Sequence, residues 1–177
     1  FLNGQKVDFK GPKDAQAAGI AAVYQHPTSY PHLTVAENIF MGHEIIKHHM
    51  IQWKEMNQEA NKYLKELDAD FDATAEMGTL SVAQQQMVEI IRAVSNNARV
   101  LIMDEPTASL DFGNQQLVLS RMRSFVDSGL SVLMVTLGPA HAFYCADRVI
   151  VLHKGTVLAN GQPHEVITPD TMRTIYG

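Results

Sequence analysis

The sequence predicts an α/β fold, a parallel sheet flanked by helices, and three observations carry that prediction. Short apolar runs at residues 20–24, 100–103, 131–136 and 148–153 have the length and composition of buried strands. Between them lie stretches whose apolar residues recur at helical spacing, at 53–67 and 114–126. Strand and amphipathic helix alternating along a chain is the pattern of parallel strands joined by crossover helices. One long segment, residues 34–97, reads as mostly helical and would be a subdomain inserted between two strands of the same domain, which would span 1–177.

The elements follow in order. Asn3-Gly4 is a hairpin-turn signal, with Val7 and Phe9 alternating on a return strand. Residues 14–18 predict a short helix stopped by Gly19. The strand at 20–24 leads directly into Gln25. Thr34-Val-Ala-Glu37 is a capping box that opens a helix to Met41. Residues 42–52 contain His43, His48 and His49 but no carboxylate or cysteine at ligand spacing, so they read as a solvated loop. In the helix at 53–67, Trp53, Met56, Ala60, Tyr63, Leu64 and Leu67 form the inward stripe. An acidic linker, 68–79, precedes Ser81, which can cap the next helix with Gln84 three residues on. Met87, Val88, Ile90, Ile91 and Val94 form its buried face. The helix at 114–126 turns Leu117, Val118, Met122, Phe125 and Val126 inward and stops at Gly129. Residues 131–136 read as another buried strand. Residues 148–153 and 156–159 form a hairpin around Lys154-Gly155, followed by helical turns at 163–167 and 169–176.

The chemistry concentrates at Val100-Leu-Ile-Met-Asp-Glu-Pro-Thr-Ala-Ser-Leu-Asp111. Asp104 and Glu105 stand where the apolar strand ends, the place where open α/β sheets bind ligands. Asp104 can hold a magnesium ion, which takes oxygen ligands and shares them with phosphates. Glu105 beside it can orient or deprotonate a water. Taken alone, the two acids also suit a strand cap with no chemistry. The N-terminus of the helix that Ser81 opens is a second candidate, because unpaired amides and the helix dipole there favour a phosphate.

Three segments in this order, VYQHPTSYPHLTVAENIFMG (23–42), LSVAQQQMVEIIRAV (80–94) and VLIMDEPTASLD (100–111), resemble the nucleotide-binding subunit of ABC transporters. The resemblance covers nearly all of the chain. Up to about Met103 it is closest to the ribose and xylose class of sugar importers. From about Ala108 the chain looks more like ATPases of iron-siderophore, cobalamin or molybdate importers. It implies a P-loop NTPase-like parallel sheet with a helical signature subdomain, and ATP and Mg2+ as cofactors. Gln25 would be the Q-loop glutamine, serving the metal and the attacking water. Ser81, Val82, Ala83 and Gln84 would be the signature sequence that closes on ATP held by a second nucleotide-binding subunit. Asp104 would serve the metal, Glu105 would polarise the water, and Asp111 would belong to the D-loop. Partners would be transmembrane permease subunits, and the site of action the cytoplasmic face of the membrane.

The pattern is also departed from. No GxxxxGK[ST] phosphate-binding loop occurs in the 177 residues. The family's first strands and P-loop helix are missing, so the resemblance implies a fragment impaired in ATP binding and turnover. The alternative is a non-catalytic ABC-like module that keeps only an interaction surface. Ala83 replaces the second glycine of the signature; if that position needs positive φ, its methyl costs about 1 kcal/mol. Leu137 and Gly138 stand where the family has the histidine and aspartate of the H-loop, and His141, placed on the following helix, does not count as a substitute.

Composition sets the remaining bounds. Hydrophobic residues make up 46% and charged residues 19%, ordinary for a globular domain. A net charge of −5 argues against a nucleic-acid partner. The one cysteine, Cys145, excludes an internal disulfide. No apolar run approaches the ~20 residues of a membrane span.

Overall fold

In the computed structural model, which describes residues 2, 4–24 and 28–177, two units are distinct: Phe1–Val135 and Thr136–Gly177. In the first, helix α1 (Pro12–Ala17) starts with proline at its first position, where no amide partner is lost. Strand β1 (Ile20–Val23) follows, then α2 (Val35–Phe40). The Thr34/Glu37 capping box forms as the sequence predicts, with Thr34 N donating to Glu37 Oε2 at 2.7 Å. A two-residue turn separates β2 (Ile46–Lys47) from β3 (Met50–Ile51), and α3 (Trp53–Glu66) begins directly after. Helix α4 (Val82–Ser95) runs to β4 (Val100–Asp104), and α5 (Phe112–Asp127) to β5 (Ser131–Val135).

The three long strands make a parallel sheet of order β1-β4-β5. Their register pairs Val23 with Met103 and Asp104 with Val135, so the carboxyl ends lie along one rim. Leu101 and Met103 of the central strand are fully buried. Val35 and Ile39 of α2, Met56, Ala60 and Leu64 of α3, Met87, Val88 and Ile91 of α4, and Val118 and Leu119 of α5 are buried as well. In α2, α3 and α4 they recur three or four residues apart, with adjacent pairs at 87/88 and 118/119, the stripe that a helix on a core requires.

Several expectations are corrected. Residues 42–52 are not only loop: β2 and β3 form an antiparallel hairpin. Its turn is His48-His49, with φ of 52° and 62°, the mirror-image turn that matches strand twist. Trp53, placed in the inward stripe by its spacing, is 51% exposed, because α3 begins there and its first turn overhangs the core. The strand at 131–136 is not buried on both faces. As an edge strand it leaves Leu133 54% and Val135 52% exposed. Near the start, Leu2 and Gln5 form one antiparallel bridge about Gly4, but Val7 and Phe9 are exposed and make no return strand. Phe1 and Asn3 lie outside the described residues.

The second unit consists of α6 (Pro139–Cys145), the strands β6 (Val149–His153) and β7 (Thr156–Gly161), and α7 (Pro163–Val166) and α8 (Pro169–Tyr176). The hairpin around Lys154-Gly155 forms as predicted. Its first strand does not join the parallel sheet, however. Among the described residues β6 pairs only with β7, antiparallel.

Candidate functional site

Glu105 lies one residue past the end of β4 in a conformation that the sequence does not announce. Its φ is +46°, in the left-handed region. For a residue with a Cβ this costs about 1–2 kcal/mol, so the surroundings must impose it. They do so through the sheet and the turn that follows. The Glu105 amide donates to the Val135 carbonyl at 3.0 Å, one rung beyond the last paired residues, and the Ala108 amide donates to the Glu105 carbonyl at 3.1 Å. Pro106 and Thr107 are buried behind it. The twist at Glu105 leaves its Oε1 buried with no hydrogen-bond partner among the described residues. Such an atom forfeits its hydration without compensation, and a catalytic role is one explanation for it. The Asp104 side chain, by contrast, is exposed.

Among the described residues no three His, Cys, Asp or Glu side chains gather as a metal cage. That suits magnesium, which keeps waters and phosphate oxygens and takes only one or two protein carboxylates. Asp104, an open carboxylate on the strand-end rim, meets that requirement.

Gln25 lies outside the described residues. The segment that follows it is held from two helices. Asn38 of α2 is 1% exposed, accepts from the Tyr30 amide at 2.8 Å, and donates to the Tyr30 and Thr34 carbonyls at 3.0 Å. Arg92 of α4 donates to Thr28 Oγ1 at 2.7 Å and pairs with Glu89, whose carboxyl burial pushes up despite that partner.

At the start of α4, Ser81 Oγ accepts from the Gln84 amide at 3.3 Å, and Gln84 Oε1 accepts from the Ser81 amide at 2.8 Å. This is the capping box predicted for these residues. It leaves the first amides of the helix, at Val82 and Ala83, without intrahelical partners. Gln84 Nε2 donates to Asp70 Oδ1 at 2.8 Å, a contact with the acidic linker that nothing in the spacing shows. Val82 is 51% exposed, while the Ala83 methyl is turned inward at 2%. Ala83 is an ordinary helical residue, not one with positive φ, so the conditional penalty attached to its methyl does not arise.

Asp111 caps α5. Its Oδ1 accepts from the Asn114 amide at 3.0 Å and its Oδ2 from Asn114 Nδ2 at 2.6 Å, and these bonds hold its carboxyl below the usual carboxylate range. Ser81, Ala83 and Gln84 are thus at one helix start, Asp111 at another, and Asp104 and Glu105 at the strand rim, all within the first unit.

Within the second unit, Leu137 is 78% exposed and its carbonyl accepts from the Tyr176 hydroxyl at 3.0 Å. His141, set aside on sequence grounds, folds back onto this turn. Its Nδ1 lies 2.8 Å from Thr136 Oγ1, and its ring would stand 3.1 Å from a Cβ at position 138. Glycine at 138 allows that close approach, and an aspartate there would meet the ring.

Comparison with known proteins gives the family. The ABC transporter family matches residues 1–108, more than half of the chain. The chain is 38% identical over 178 residues to the ribose import ATP-binding protein RbsA of Geobacillus kaustophilus, covering 99% of the chain and 36% of that protein. It is 36% identical over 165 residues to the xylose import ATP-binding protein XylG of Moorella thermoacetica, covering 93% and 33%. The chain therefore spans about a third of the length of these relatives, and the ribose match runs across both the sugar-importer-like and the metal-chelate-like parts. Among solved structures, cbiO1 of Clostridium perfringens, part of the ABC transporter complex cbiONQ, superposes with a TM-score of 0.78 at 22% identity, over 96% of this chain and 68% of that one. The chain belongs to the ABC transporter family.

Proposed function

We propose that the chain is part of the ATP-hydrolysing subunit of an ABC importer for a sugar or a metal chelate, and that Glu105 is its water-activating residue. The observation that carries this reading is the left-handed Glu105 with a buried, unpartnered carboxylate oxygen at the end of the central strand. Strain held in place by a strand rung at a ligand-binding rim is characteristic of a working side chain. In this reading Asp104 and Gln25 hold Mg2+, which supplies charge neutralisation at the β- and γ-phosphates. Ser81, Val82, Ala83 and Gln84 form the helix start that would meet the γ-phosphate of ATP on a second nucleotide-binding subunit, through the free amides of Val82 and Ala83. Asp111 shapes the adjoining loop. Residues 34–97 act as the helical subdomain that meets the transmembrane permease subunits, with the protein peripheral on the cytoplasmic face of the membrane. Among the described residues no helix is long and apolar enough to cross a membrane.

A second reading, a non-catalytic interaction module, is separated from the first by experiment. The P-loop backbone and lysine supply much of the hold on the phosphates. The 177-residue chain is therefore expected to bind Mg·ATP no better than millimolar, about −4 kcal/mol. Calorimetric titration of this chain, and hydrolysis assays on the protein that carries it with and without Glu105→Gln, separate the readings. Turnover lost by ~10²-fold or more with ATP binding retained supports Glu105 as the water-activating group. Full activity in Glu105→Gln would remove it from that role.

A further inference from the structure

Two glutamines outside the candidate site make the same unusual set of contacts. Gln85 is the fourth residue of α4, and its Nε2 donates to the Leu80 carbonyl at 3.0 Å and to the Met77 carbonyl at 3.3 Å. Gln115 is the fourth residue of α5, and its Nε2 donates to the Leu110 carbonyl at 3.0 Å and to the Thr107 carbonyl at 3.2 Å. In each helix the acceptors are the residue immediately before the N-cap and the residue three before that. In each, the N-cap side chain is occupied separately by the third helical residue, Ser81 by Gln84 and Asp111 by Asn114. Two acceptors facing one carboxamide demand its NH2 end, which fixes the amide orientation. Both pairs are partly buried, so water competes poorly for the carbonyls.

We propose that Gln85 and Gln115 are positioning residues: their carboxamides staple the loops 77–80 and 107–110 back onto the helices those loops enter. The staples set the direction in which the starts of α4 and α5 face a ligand. A capping box fixes only the first turn relative to the N-cap, and the staple reaches one turn further back. It ties the Met77–Thr79 3-10 turn to α4, and the loop that follows Glu105 to α5. The significance for turnover rests on the ATPase reading above, whereas the staples themselves do not.

The test is a donor series read by amide hydrogen exchange on the 177-residue chain. Gln85→Met keeps the length and loses the donor; Gln85→Lys keeps a donor that can reach both carbonyls. Losing the bonds should speed exchange of the amides from 77 to 84 about tenfold in Gln85→Met, with the second half of α4 unchanged. Gln85→Lys should restore most of the protection. Gln115→Met and Gln115→Lys should do the same for the amides from 107 to 114. If either pair shows methionine as protective as glutamine, or lysine as poor as methionine, the staple is not a donor device. Acceleration spread along a whole helix would likewise overturn it, as a general loss of stability. Each pair decides for itself, so one variant that fails to fold leaves the other helix as the test. In an ATP hydrolysis assay of the protein, Gln85→Met should lower kcat about tenfold with KM for ATP within twofold. Altered exchange with unaltered kcat would refute a positioning role in turnover. If the unsubstituted protein hydrolyses no ATP, the ATPase reading fails while the exchange series still decides the staples.

Discussion

Replacing Glu105 by glycine should stabilise the first unit while ending turnover. The left-handed φ of +46° disappears as a cost when the Cβ is removed, a gain of about 1–2 kcal/mol. Glycine returns about 0.4–1 kcal/mol of that through the larger entropy of its unfolded chain. Deleting the carboxylate also removes a buried oxygen without a partner, worth about 1 kcal/mol or more. The balance is a gain of about 1–2.5 kcal/mol, or ~2–10 °C in Tm for a chain of this size. Glu105→Ala separates the two contributions, because it deletes the carboxylate and keeps the strained Cβ. Its stability should fall between wild type and Glu105→Gly. Urea denaturation followed by fluorescence and far-UV dichroism, with m-values compared, is the assay. A Glu105→Gly variant 1 kcal/mol less stable than wild type would refute the argument. It would mean that the side chain is held by favourable contacts rather than forced against its backbone preference.

Other outcomes follow from single contacts. Asn38→Leu should cost about 1–3 kcal/mol, because it leaves the Tyr30 amide without its acceptor, while the Tyr30 and Thr34 carbonyls keep the Leu33 and Asn38 amides; the urea midpoint reads it directly. Ala83→Gly should destabilise α4 by about 1 kcal/mol, since the position is helical and its methyl buried, and a gain in thermal stability would contradict that. Burial lowers the pKa of His43 below its ordinary 6.5, although Met41 and Glu44 oppose the shift. The unfolded chain therefore takes up its proton first. The neutral ring contributes stability that is complete above pH 6.5 and is lost as pH falls through the folded-state value. His43→Gln should flatten the fall in stability between pH 7 and pH 5, and an unchanged slope would place the titration elsewhere. Thr34→Ala should cost about 1 kcal/mol through the capping box, measured in the same titration.

Much of this protein is determined by local sequence. The helices at 53–67 and 80–94 follow from apolar spacing, the starts of α2 at Thr34 and of α4 at Ser81 from capping boxes, and the strand ending in Asp104-Glu105 from an apolar run cut by charge and proline. These are short-range preferences, satisfied within one turn of helix or one strand, so the residues themselves state them. What spacing could not decide was how far each element is covered. The strands at 131–135 and 149–153 read as buried because they are apolar. Yet among the described residues β5 is an edge with Leu133 and Val135 exposed, and β6 pairs only with β7. Burial depends on what packs against a strand, and a strand's own composition does not carry that information. The site divides in the same way. Asp104, Glu105, Ser81 and Gln84 were legible from their places at strand and helix ends, and Asp111 only through the family resemblance. The left-handed twist of Glu105, the inward turn of the Ala83 methyl, the Asp70 contact to Gln84 and the paired staples of Gln85 and Gln115 were not. Each arises because a distant segment, or a chain reversal several residues long, brings a donor to an acceptor, and only the folded chain decides which ones meet.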